Sequence, residues 1–225
     1  MALKDDLVAE VNKIFVSRWD VRNGLVVPET VGLGNVGVEV EGTVLYADLD
    51  GSTDLVDTNT ATFAAEIYKS YLYCAAKIIR AEGGTITAYD GDRIMAVFIG
   101  ESKNTNAVRT GLKINYAVEN IVNPGLKKVY TSSQYVVKQV VGIDTCKLLV
   151  SGTGIRGSND LVWVGRAANH AAKMAALTPV YPTRISKEVY DNMNDEVKFS
   201  GSNNMWISET WKGRTIYKSA YWWSL

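Results

Sequence analysis

Residues 46–53 read YADLDGST and residues 89–98 read YDGDRIMAVF. Each stretch sets an aspartate, Asp48 or Asp92, beside glycine and against an apolar run with the composition of a β-strand. Two carboxylates held this way can grip a pair of divalent cations, and glycine beside them lets backbone amides approach a polyphosphate. The combination points to phosphoryl transfer on a nucleotide.

Working outward, Val44–Asp48 reads as a short strand that Gly51-Ser52-Thr53 ends. Phe63, Ile67, Tyr71, Cys74 and Ile78 fall on one face of a long helix closed by Gly83-Gly84. Thr85–Ala88 and Ile94–Ile99 are strands around Asp90-Gly91-Asp92, a hairpin turn by composition. A second helix is expected from Asn104 to Val122, stopping before Pro124. Gln134–Ile143 and Lys147–Val150 read as two strands, Val162–Val164 as another, Ala167–Leu177 as a helix and Arg184–Ser186 as a strand. Strand-like pieces follow Val197. At the start, Leu3, Leu7, Val11, Ile14 and Phe15 mark an amphipathic helix, and Asn23–Gly42 reads as an irregular or hairpin-like lead-in. The order strand, helix, strand-turn-strand, helix, strand predicts an α+β, ferredoxin-like (split βαβ) sheet with an extra N-terminal helix and C-terminal strands. The expected organisation is residues 1–39 as helix and lead-in, 40–195 as the catalytic domain, and 196–225 as a strand extension of the same domain.

The 225 residues hold 24 Lys plus Arg against 24 Asp plus Glu, a formal net charge of zero. That balance argues against a duplex nucleic-acid binder, which needs a basic excess. No apolar run is long enough to span a membrane, so no membrane partner and a cytoplasmic location are expected. Cys74 and Cys146 lack metal-ligand spacing and read as buried thiols.

In a ferredoxin-like sheet the end of the first strand lies beside the hairpin turn, so Asp48 and Asp92 converge. Shared carboxylates can hold two ions about 3.5–4 Å apart, one at the attacking oxygen and one at the leaving phosphate. The carbonyl of Leu49 offers a further ligand. Gly51, Ser52 and Thr53 lead into a helix whose free amides suit a triphosphate.

These motifs resemble the class III nucleotidyl cyclases, the adenylate and guanylate cyclase catalytic domain. YADLDGSTDL looks like the family's first metal-aspartate segment, and GGTITAYDGDRIMAVF, residues 83–98, like its second. GRAANHAAKMAAL, residues 165–177, looks like its asparagine-and-arginine helix. The resemblance implies a head-to-tail homodimer with active sites at the interface, two Mn2+ or Mg2+ ions per site, and attack of the ribose 3′-oxygen on the α-phosphate. Asp48 and Asp92 then match the metal ligands, and Asn169 the residue that orients the ribose. Lys173 stands in place of the transition-state arginine, keeping its charge without the planar fork.

The base pocket departs from the family. Ala88 and Val162 occupy the positions where its adenylate cyclases use a lysine and an aspartate, so the purine contacts are absent. Tyr46, two residues before Asp48, faces the same side of a strand and can stack on a base or hydrogen-bond to its carbonyl. Arg93 can reach a phosphate or a base oxygen, and Tyr89 is a second aromatic candidate. Metal aspartates without the purine pair make the chain similar to the stand-alone bacterial pyrimidine cyclases of Pycsar antiphage defence. That resemblance implies UTP, favoured over CTP, as substrate and a separate effector that reads the cyclic product without direct contact. A cytidylate or adenylate cyclase, or a nucleotide-binding module without chemistry, stays open. His170, the only histidine, points about 100° away from Asn169 and is expected to be structural. The aromatic tail, from Trp206 to Trp223, is expected to pack on the sheet or on the partner subunit.

Overall fold

The computed structural model describes residues 2–225. In chain order its elements are α1 (Leu3–Val16), β1 (Asp20–Asn23), β2 (Val36–Leu49), α2 (Ser52–Thr58), α3 (Ala61–Ala81), β3 (Thr85–Asp90), β4 (Arg93–Phe98), α4 (Lys103–Ala117), a π-helical turn (Val118–Val122), α5 (Asn123–Val129), β5 (Gln139–Ile155), β6 (Ser158–Val164), α6 (Arg166–Ala175), β7 (Thr183–Ser186), α7 (Lys187–Asn192), β8 (Phe199–Ser200), β9 (Asn203–Asn204), β10 (Ile207–Trp211) and β11 (Arg214–Ser219). The chain divides into two compact units, Gly42–Cys146 with Arg166–Leu225, and the described residues up to Glu41 with Lys147–Gly165.

The larger unit is built on a sheet in the order β10-β11-β7-β5-β2-β4-β3. β2 and β4 run antiparallel, and β5 and β7 run parallel. Central position explains the apolar content of β2, where Val44, Leu45, Ala47 and Leu49 are all buried. α3 lays Phe63, Ala64, Ile67, Tyr71, Ala75, Ile78 and Ile79 on one face of the sheet, against Leu45, Ala47, Leu49, Ile94, Ala96 and Phe98. Its start is fixed by the Thr60 hydroxyl, which accepts from Phe63 N at 3.3 Å. α6 covers the opposite face. A Cβ at Gly142 of β5 would lie 2.1 Å from the carbonyl oxygen of Ala171 and 2.7 Å from Ala175 N, so only glycine admits this close approach.

Several sequence-based boundaries move. The helix read as ending before Pro124 continues: α4 widens into the π turn Val118–Val122, and Pro124 then occupies the first turn of α5. Asn123 N donates five residues back, to Val118 O, so the widened turn carries the helix past a proline that has no N–H to give. The two strands expected at Gln134–Ile143 and Lys147–Val150 are the single 17-residue strand β5. The polar stretch Asp144-Thr145-Cys146 reads as a break, yet it stays in the strand because Asp144 is paired internally. β2 likewise begins at Val36 rather than Val44, taking in the end of the lead-in. The aromatic tail divides: Trp206 is buried in the core beside the sheet and Trp211 ends β10 of the sheet itself, whereas residues 221–223 cross α4. Trp223 N donates to Leu112 O at 3.2 Å, and the Asn115 amide donates to Tyr221 O at 3.2 Å.

In the smaller unit β1 pairs in parallel with the first residues of β2, from Asp20 opposite Val36, and β6 runs back along the end of β5. Asn35 donates to Ile14 O at 2.7 Å and Ser17 O at 2.8 Å, holding the end of α1. α1 buries none of its residues. Among the described residues no helix is long and apolar enough to cross a membrane.

The tight seat of α6 makes Gly142 a sensitive position. Gly142→Ala is expected to lower stability by about 2 kcal/mol or more, because the new methyl meets backbone and the helix must shift. Denaturant unfolding of the purified variant checks this.

Candidate active site

Asp48 is the penultimate residue of β2, and Asp92 is the second residue of the two-residue turn Gly91-Asp92 between β3 and β4. Gly91 takes φ 61°, the left-handed value this tight turn requires. The β2–β4 register sets Asp48 opposite Arg93, so the turn delivers Asp92 next to Asp48. Directly paired residues share a face of the sheet. Tyr46, Met95 and Ala88 therefore form one row across β2, β4 and β3, and Asp48, Arg93 and Asp90 form the next.

The charge balance of the second row is unusual. The Arg93 guanidinium is taken up by an ion pair with Asp90. Asp48 is pushed up to about 7, first by burial and then by the negative charge of Asp92, with Arg93 offsetting only part. Oδ2 of Asp92 is buried and has no hydrogen-bond partner. A buried carboxylate oxygen without a partner, beside a second carboxylate reluctant to ionise, is a donor set that suits a hard divalent cation. Among the described residues no third His, Cys, Asp or Glu joins them. Further ligands would have to be main-chain oxygen, water or phosphate. The Leu49 side chain is buried in the core, which leaves only its carbonyl for such a role.

Gly51, in the left-handed conformation (φ 71°), turns the chain into α2, whose first residues are Ser52 and Thr53. α2 is a separate seven-residue helix, so these three residues do not open α3 directly. Beside them Asp50 N donates to Lys138 O at 2.9 Å, tying the segment to the residue before β5. Tyr46 is half-buried, and burial raises its phenol above the ordinary value, so the hydroxyl keeps its proton at neutral pH.

Two residues escaped the sequence reading as site residues. The hydroxyls of Tyr71 and Tyr135 are buried without partners. Tyr71 is pushed well up by burial and then by Asp48 and Asp92; Tyr135 is raised by burial and then by Tyr68, Asp50 and Asp92. Tyr71 is legible in sequence only as one position on the apolar face of a helix. A tyrosine among Phe, Ile and Ala was the available signal.

Asn169 and Lys173 lie one turn apart on α6, and both are exposed. α6 rests on β7 and on Gly142 of β5, whereas the aspartates stand at β2 and β4. The structure brings Tyr46, Asp48, Asp92 and Arg93 together and leaves Asn169 and Lys173 on another part of the sheet. His170 is held by Asp144, its Nδ1 3.2 Å from Oδ2, in keeping with a structural part.

No family model matches the chain. It is 51% identical to a uridylate cyclase of Xanthomonas perforans over 231 residues, with both chains covered in full. A uridylate cyclase of Burkholderia cepacia is 48% identical over the same length and coverage, and one of Rhodovulum sp. is 35% identical over 99% of this chain and 98% of the relative. The chain belongs to the uridylate cyclase family. Among solved structures, the guanylyl cyclase Cya2 superposes with a TM-score of 0.69 at 21% identity, over 82% of this chain and 94% of that one. The adenylyl cyclase CyaB of P. aeruginosa gives 0.65 at 22% identity, over 81% and 94%. The fold is therefore that of the class III cyclase catalytic domain, and the chain is a class III nucleotidyl cyclase.

The raised Asp48 carboxyl makes the stability of the metal-free cyclase depend on pH. Its folded value of about 7 lies above the usual 3.8, so the unfolded chain gives up this proton first. The contribution is complete below about pH 4 and fades as pH rises towards 7. Thermal unfolding in EDTA should show a midpoint that falls across this interval, a fall that Asp48→Asn removes and saturating Mn2+ reverses. A slope unchanged by either would mean that Asp48 does not titrate there.

Proposed function

We propose that this cyclase converts UTP to 3′,5′-cyclic UMP and pyrophosphate, a second messenger for a separate effector in antiphage defence. The observation that carries the reading is the row Tyr46–Met95–Ala88 beside Asp48. It offers a base one phenol, one weakly accepting thioether and one methyl group, and lacks the lysine and aspartate side chains that a purine pocket of this family would use. The full-length relatives named uridylate cyclase support the same choice.

In the reaction the ribose 3′-oxygen bonds to the α-phosphorus as the bond to the bridging oxygen of the β-phosphate breaks. Pyrophosphate leaves with that electron pair, and the 3′-hydroxyl proton passes to solvent. Two bound Mn2+ or Mg2+ ions would activate the attacking oxygen and neutralise the departing pyrophosphate. Asp48 and Asp92 would hold them, with the Leu49 carbonyl as an added ligand. The amides of Gly51, Ser52 and Thr53 face the triphosphate, and Arg93 sits at the edge of the same site. Asn169 orients the ribose, and Lys173 places a single positive charge by the α-phosphate.

Asn169 and Lys173 stand apart from the aspartates on the sheet, so the reading requires a second copy to supply them. Head-to-tail pairing completes two sites per homodimer. Asp92→Ala and Lys173→Ala should each abolish turnover alone. Mixed in equal amounts and allowed to exchange subunits, they should recover about one quarter of wild-type activity, because half of the dimers keep one intact site. No recovery would place both residues in the same copy's site.

Incubation with the four nucleoside triphosphates and Mn2+, with mass identification of the products, tests the substrate. Cyclic UMP should dominate, and a dominant cyclic AMP or cyclic CMP would overturn the assignment. Tyr46→Phe should lower the ratio of cyclic UMP to the other products by about fivefold, the worth of one hydrogen bond. An equal loss with every nucleotide would make Tyr46 structural.

A further inference from the structure

The sheet face under α6 carries a fully buried carboxylate that the reaction does not use. Asp144 of β5 has no exposed surface, and it lies two residues along the strand from Gly142, on the face where α6 sits. Its Oδ1 accepts from Thr145 N at 2.8 Å. Its Oδ2 is 3.3 Å from Nε of Arg166 and 3.2 Å from Nδ1 of His170. Arg166, the first residue of α6, also donates to Thr145 O at 3.2 Å and pairs with Glu188 of α7 at 2.9 Å. Ala167 N donates to Cys146 Sγ at 3.3 Å. Thus one carboxylate grips α6 at two points a helical turn apart, and the second grip is the immediate neighbour of Asn169. Trp211 closes the outer side, its ring edge-on to His170 at 5.4 Å between centroids.

The close seat on Gly142 and the buried face of Ala167, Ala171 and Met174 hold α6 against the sheet, and a single polar anchor would leave its exposed face some freedom to turn. Two anchors separated by one turn fix that rotation, and with it the direction in which Asn169 and Lys173 point. A buried carboxylate tolerates this position because both partners and a main-chain amide satisfy it. Placement errors of an ångström are costly where a reacting group must be aligned.

We propose that Asp144 is a positioning residue of the cyclisation reaction: by holding Arg166 and His170 it sets the rotation of α6 and so the aim of Asn169 and Lys173 at the nucleotide. The inference rests on the reading, given above, that these two residues meet the substrate.

The test is a double-mutant cycle between Asp144→Asn and Asn169→Ala in the full-length protein with Mn2+ and UTP. Asparagine is close in shape, and its oxygen can still accept from Thr145. Asp144→Asn should lower kcat at least tenfold with KM within twofold of wild type, and should cost a severalfold smaller factor when Asn169 is already alanine, because only the aim of Lys173 is then left to lose. The lone imidazole gives a second readout, since nuclear magnetic resonance sees one histidine. Its titration midpoint should move down in Asp144→Asn, which removes a negative neighbour while Arg166 and Arg214 remain, and up in Arg166→Gln. An unchanged kcat in Asp144→Asn, or the same factor lost in both backgrounds, would overturn the proposal. Should Asp144→Asn fail to fold, Arg166→Gln takes its place in the cycle, and additive losses there would overturn it equally. Wild-type rates for Asn169→Ala and Lys173→Ala together would instead sink the underlying reading, a result distinct from an additive cycle on an impaired Asn169→Ala enzyme.

Discussion

Two negative charges are forced together by hydrogen-bond register, and the rest of the site follows from that constraint. The pairing of β2 with β4 sets Asp48 opposite Arg93, and a two-residue turn leaves Asp92 no other place to go. The chain carries an obvious remedy for the repulsion in the same row, yet Arg93 is committed to Asp90. Asp48 is left to suppress its own charge, and Asp92 keeps a buried oxygen without a partner. Hydrophobic packing of α3 on the opposite face of the sheet holds this arrangement in place. A fold that spends core stability to keep two carboxylates unpaired is poised to accept cations, and cations are what a triphosphate also requires. The unpartnered hydroxyls of Tyr71 and Tyr135 belong to the same economy. They are buried donors in the negative field of the aspartates.

Much of this was legible in the sequence because it depends on local rules. An aspartate at the end of an apolar run, a glycine-aspartate turn and a helix with a clear apolar face each follow from spacing, and they sufficed to place β2, α3, β3 and β4. The failures were also physical. Asp144-Thr145-Cys146 looks like an interruption, since a charged residue seldom sits inside a central strand. Only the tertiary partners Arg166 and His170, more than twenty residues on, make that position tenable. Pro124 looks like a stop, and only the π turn ahead of it shows how the helix carries on. Tyr71 reads as one more position on the apolar face of a helix because nothing local reveals where a hydroxyl points. Lone charges and lone hydroxyls take their meaning from partners distant in sequence.

The separation of the cationic helix from the aspartates has a physical logic of its own. A lysine close to Asp48 and Asp92 in the same chain would satisfy the carboxylates, draw the Asp48 carboxyl back down and compete with divalent cations for the oxygens. In the proposed homodimer, carrying Lys173 on α6, across β5 and β7, would keep the carboxylates unneutralised until the second copy brought its helix over the nucleotide. By then the triphosphate would supply negative charge of its own, and the lysine would have a phosphate to meet in place of an aspartate. In the proposed homodimer each half is therefore electrostatically incomplete by design of the sheet order. The anchor at Asp144 fits the same scheme. Its negative charge is spent inside the fold, on Arg166 and His170, where it steadies the helix without adding to the field that the cations feel.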